Sequence, residues 1–164
     1  MPSHPGRRDP ASAPGCAQGR LLGVDYIRPV QSSPATAFER FGGHEFFGLL
    51  VERFYAGVAE DPELRAMYPE DDLGPAAQRL TLFLEQYWGG PTTYSQQRGH
   101  PRLRMRHAPY RVDATAHDSW LRHMRAALDE AAPAVGMSAE DERELWDYLT
   151  RAALSMVNTY PEPA

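Results

Sequence analysis

Only one cysteine, Cys16, stands in the 164-residue chain. It can form no intrachain disulfide, so a reducing, cytoplasmic setting is the expected compartment. No apolar run reaches the ~18 residues of a membrane-spanning helix. The start, MPSHPGRRDPASAPG, has two arginines with no apolar stretch behind them, and Leu21-Leu22-Gly23-Val24 is too brief for a secretory signal. Basic residues are not in excess. A net charge of −5 offers no basic face, which argues against general nucleic-acid binding. Several catalytic signatures are missing too. There is no HExxH pair, no Cys/His cluster with four ligands, no GxxxxGK[ST] loop and no GxSxG elbow. No strand-like alternation bounded by turns and no internal repeat occurs, which leaves an all-α domain.

The composition, 42% apolar and 10% aromatic, is that of a globular protein. The length fits one self-supporting domain with a tail. Residues 1–35 are rich in Pro, Gly, Ser and Ala without sustained periodicity and are expected to be a disordered extension. The folded domain is expected over 36–160, with 161–164 as a tail.

The apolar spacing predicts a short first helix over Thr36–Phe41, ended by Gly42-Gly43. A second helix is expected from His44 to Ala59, with Phe46, Phe47, Leu50, Val51, Phe54, Tyr55 and Val58 on one face. A third runs from Pro75 to Trp88, burying Ala76, Ala77, Leu80, Phe83, Leu84 and Tyr87. Asp113 is the expected cap of a fourth helix that ends near Ala131, before Pro133 and Gly136. Ser138 with Asp141 opens the last, which runs to about Asn158.

The stretch Phe83–Tyr110 draws the rest together. An apolar helix end runs into Gly89-Gly90-Pro91; a polar connector follows, then a basic-apolar segment carrying His107. One histidine among apolar and aromatic residues suits haem, which needs a proximal imidazole, dry walls and polar groups at the propionate edge. Leu103 and Met105 are placed to face the ring, and Arg102, Arg104, Arg106 and Arg111 to meet the propionates. The alternative is that His107 is a surface histidine in a basic loop. Tyr55, Tyr68 and Trp120 each bring a donor into apolar surroundings, where it bonds either a polarised ligand or a nearby carbonyl.

The runs RFYAGVAEDPELRAMYPEDDL, RLTLFLEQYWGGPTTYSQQRGHPRLRMRHAPYRV and DSWLRHM together resemble the group II truncated haemoglobins of bacteria, over roughly residues 36–160. The resemblance implies a two-over-two helical sandwich around haem b. It implies His107 as the iron ligand and Tyr55, Tyr68 and Trp120 as distal donors. Ala76 would stand where ordinary globins have a distal histidine, with Leu80 beside it. Arg106, Tyr94 and His100 would lie near the propionates, with Met105 and Phe83 also against the cofactor.

The function so implied is reversible binding of dioxygen, nitric oxide or carbon monoxide. Nitric-oxide dioxygenase or peroxidase-like turnover in the same pocket, served by a reductase, is the enzymatic alternative, and a homodimer is compatible with either. A helical interaction module without cofactor is the third reading.

Overall fold

The computed structural model describes residues 34–161, and among these every regular element is helical. The expectations for residues 1–33, Cys16 included, and for 162–164 lie outside the described residues.

The first helix, α1 (Ala37–Arg40), is a single turn closed by a capping box. The Glu39 amide donates to Thr36 Oγ1 at 3.2 Å, and the Thr36 amide donates to Glu39 Oε2 at 2.8 Å. Gly42 and Gly43 then take φ values of +105° and +62°, a region that only glycine enters at little cost, and turn the chain into α2 (Gly43–Glu60). Phe46, Phe47, Leu50, Phe54 and Val58 of α2 are fully buried, as the stripe predicted. Asp61 closes this corner. It caps α3 (Pro62–Arg65) by accepting from the Leu64 amide, and its Oδ2 is 2.9 Å from both His123 Nε2 and an Arg122 nitrogen.

The remaining long helices are α4 (Gly74–Tyr87), α7 (Ala114–Ala134) and α8 (Ala139–Met156), with the short α5 (Thr93–Arg98) and α6 (Leu103–His107) between α4 and α7. Asp113 and Ser138 cap α7 and α8 as expected, accepting from the amides of Ala116 and Asp141. Helix α2 packs on both α4 and α7, and α7 on α8. The two pairs, α2/α4 and α7/α8, form the two-over-two sandwich. Helices α2 and α7 approach closely at Gly57 of α2. A Cβ there would lie 2.5 Å from Nδ1 of His123 on α7.

Three expectations are corrected. Helix α7 runs through Pro133 to Ala134. Proline in the last turn removes only the donor to the Asp129 carbonyl, and Asp129 is exposed, so the loss is tolerated there. The polar connector contains α5, held by its one buried residue, Tyr94. Tyr87 was expected in the buried face of α4 but is 53% exposed, because it sits in the final turn and stacks on Tyr148 of α8.

Candidate functional site

A cavity of about 610 Å³ opens between α2, α4, α6, α7 and α8. That is the size of a site for an organic cofactor and far more than a diatomic gas fills. Tyr55, Tyr68, Ala76, Leu80, Phe83, Tyr94, Met105, Arg106, His107 and Trp120 all line it. His100 does not. It is exposed, and its Nδ1 accepts from the Arg102 amide at 3.3 Å. Met105 is 67% exposed and so stands at the rim rather than deep in the wall.

One side of the cavity is built on α6. This helix starts from Arg102 in the left-handed region at φ +43°, the sole non-glycine residue with positive φ among those described. Five residues later, in the last turn, comes His107. Its Nδ1 lies 2.8 Å from the Leu103 carbonyl oxygen. A carbonyl only accepts, so Nδ1 carries the proton and Nε2 is left with the lone pair. The backbone after His107 is held by Asn158 at the end of α8. Asn158 Nδ2 donates to the carbonyls of His107 at 3.2 Å and Tyr110 at 2.9 Å, and Asn158 Oδ1 accepts from the Val112 amide. Arg106 donates from Nε to the Pro101 carbonyl at 2.7 Å and from a terminal nitrogen to the Arg98 carbonyl at 2.8 Å, which ties α6 to the end of α5.

The other side carries the hydroxyls and the indole. The rings of Tyr55 and Tyr68 meet edge-on with centroids 5.6 Å apart, and Phe54 packs on Trp120 at 5.3 Å. Burial pushes both phenols above the ordinary tyrosine range; the two hydroxyls also engage each other, which raises Tyr55 further and partly offsets the rise at Tyr68. Both therefore remain donors at neutral pH. Among the described residues, no backbone carbonyl accepts from either phenol or from the Trp120 indole. Tyr68 itself sits on a loop held by two arginines. Arg65 donates to the carbonyls of Tyr68 at 3.1 Å, Glu70 at 2.8 Å and Asp71 at 2.9 Å. Arg79 of α4 bonds the Glu70 carboxylate at 2.8 Å and fixes the loop from the other end.

Several wall residues were not singled out from the sequence: Arg79, Arg98, Tyr110, His117 and Tyr148. For His117 there was a signal. It precedes Trp120 by three residues on α7 and so shares its face. The cations of the wall are all arginine, and the chain contains no lysine. Among the described residues no group of His, Cys, Asp and Glu is placed to hold a metal ion by itself. Two imidazoles, His107 and His117, line the cavity, and Nδ1 of His117 is engaged by Asp118 at 2.8 Å.

Comparison with known proteins agrees with this architecture. Residues 36–158 match the family model of the bacterial-like globins. The group 2 truncated hemoglobin YjbI of Bacillus subtilis is 39% identical over 116 residues, covering 71% of this chain and 84% of the relative. The chain belongs to the group II truncated haemoglobins. Among solved structures, the thermostable hemoglobin of the actinobacterium Thermobifida fusca is 58% identical, with a TM-score of 0.73 over 77% of this chain and 100% of that one. The group II truncated hemoglobin of Bacillus anthracis is 36% identical, with a TM-score of 0.72 over 79% and 96% of the two chains. As a truncated haemoglobin, the protein is a haem globin that binds diatomic gases. No described helix is long and apolar enough to cross a membrane.

Proposed function

We propose that this globin domain, residues 36–160, would hold haem b through Nε2 of His107 and bind dioxygen reversibly in the cavity that Tyr55, Tyr68 and Trp120 line. Haem b, when bound, would supply the ferrous iron that takes up a diatomic ligand. The observation that carries the reading is the His107–Leu103 hydrogen bond, which selects the tautomer a metal requires on the cavity side. Leu80 and Phe83 give dry walls, and Ala76 is too small to reach a ligand. Tyr55, Tyr68 and Trp120 then control retention by donating to a ligand that gains negative charge when it binds. Three donors mean slow release, which suits scavenging or sensing better than bulk delivery. Tyr94, Arg98 and Arg106 line the cavity and would be the groups to meet haem propionates.

Reconstitution with haem tests this. The wild-type chain is expected to show a Soret band and dioxygen-dependent shifts in the ferrous form, and His107→Ala to lose most of its haem to an acceptor globin. A His107→Ala spectrum and haem affinity identical to wild type would overturn the assignment.

A further inference from the structure

One aromatic pair joins the cavity to solvent. Tyr148 of α8 lines the cavity, and Tyr87 in the last turn of α4 is 53% exposed. Their rings stack with centroids 3.9 Å apart and 27° between planes. Phe83, another wall residue, touches Tyr87 from the side at 6.2 Å. Gas binding uses neither tyrosine. We propose that Tyr148 and Tyr87 form a one-electron relay, through which a small phenol at the surface is oxidised while hydrogen peroxide is reduced in the cavity. The proposal rests on the reading that the cavity holds haem.

The chemistry balances. Hydrogen peroxide gains two electrons and two protons, its O–O bond breaks, and two water molecules form. Two phenol molecules each lose one electron and one proton and become phenoxyl radicals. Inside the protein each electron passes from Tyr87 to Tyr148 and on to the cavity. Oxidised Tyr87 releases its phenol proton to water, then recovers an electron and a proton from the phenol outside.

The geometry favours this direction. Two stacked rings share a positive charge, which makes the pair easier to oxidise than either ring alone. Tyr148 is poorly suited to keep the radical. Burial raises its phenol well above the ordinary range, and no hydroxyl acceptor for it occurs among the described residues. Tyr87 has water beside it. Trp88 lies against both rings, 5.2 Å from Tyr87 and 5.4 Å from Tyr148, but its buried indole nitrogen has no partner among the described residues to take its proton. A second exit, Tyr110, lines the cavity and is 39% exposed, but no ring stacks on it among the described residues.

The test uses the haem-loaded full chain, hydrogen peroxide and 2-methoxyphenol, with freeze-quench electron paramagnetic resonance. Tyr87→Phe and Tyr148→Phe keep the stacked rings and remove only the hydroxyls. Wild type is expected to show a tyrosyl radical. Tyr87→Phe is expected to abolish it and to slow phenol oxidation about tenfold (~1.4 kcal/mol in the barrier). Tyr148→Phe is expected to reduce both. A radical that survives Tyr87→Phe with phenol oxidation unchanged overturns the relay, as does one lost only in Tyr110→Phe. Failure of the haem reading would appear earlier and separately, as the lack of a Soret band before peroxide is added.

Discussion

The two ends of the helical sandwich are built from the same helices and differ in what those helices meet. At one end Phe46, Phe47 and Leu50 of α2, Met124 and Leu128 of α7 and Leu145 of α8 are fully buried against one another. At the other, the continuation of those helices carries Tyr55, Trp120 and Ala152 along the walls of a cavity. The first end makes contacts that stabilise the fold without a ligand. The second places phenols and an indole in apolar surroundings beside an open cavity, an arrangement that costs stability until something fills it. Stability and ligand chemistry therefore lie on opposite halves of each helix, and changes in one half should leave the other readout alone.

The largest expected effect is at the packed end. Phe47→Ala should lower unfolding stability of the haem-free chain by ~3–5 kcal/mol, read from urea denaturation. A loss under about 1 kcal/mol would show that this end is not the stabilising one. Next comes Trp120→Phe at the cavity end. Losing a donor to a charged ligand should weaken retention by ~1.5–3 kcal/mol. Stopped-flow should record it as faster dioxygen release, with haem-free stability almost unchanged. Equal release from mutant and wild type would mean that the indole does not reach the ligand.

Arg65→Ala sharpens the comparison, since Arg65 touches backbone only. It should speed release in the direction of Tyr68→Phe by about a few-fold, as contacts near a site couple through ~0.5–3 kcal/mol. The double variant should show little further change. Additive effects would separate Arg65 from Tyr68. The smallest effect concerns acid. Bonds from the Leu64 amide and His123 hold Asp61 below the ordinary carboxylate range. The Ala116 amide does the same for Asp113, and Arg79 for Glu70. Depressed carboxylates bind fewer protons folded than unfolded, so their contribution is present above pH ~4 and fades as pH falls through the folded values. Urea midpoints between pH 5 and 3 should drop less in Asp61→Asn than in wild type.

The long helices were legible because each buries a stripe with helical spacing, and caps such as Asp113 and Ser138 act within four residues. Helix α5 was not, since TYSQQR has a single apolar anchor and forms only because Tyr94 docks into a wall supplied by other helices. Pro133 misled for a related reason, as its penalty depends on where in the helix it falls. His107, Tyr55, Tyr68 and Trp120 were expected through a resemblance carried by long motifs, more than through spacing, and all four lie along the wall of the cavity. What escaped were residues recruited by tertiary packing: Arg65 reaching across its loop, Asn158 returning from the end of the chain, and Tyr148 meeting Tyr87. None sits in a local pattern, and each matters through a partner distant in sequence or a bare carbonyl.

Gly57 gains meaning from its neighbours. It lies two residues after Tyr55, and His123, which it faces, lies three after Trp120; the imidazole is clamped through its far nitrogen by Asp61. An added methyl would act as a shim, prying α2 from α7 and widening the gauge between phenol and indole. The bore offered to a gas molecule is thus set from outside the chamber, by one hydrogen standing where other residues carry carbon.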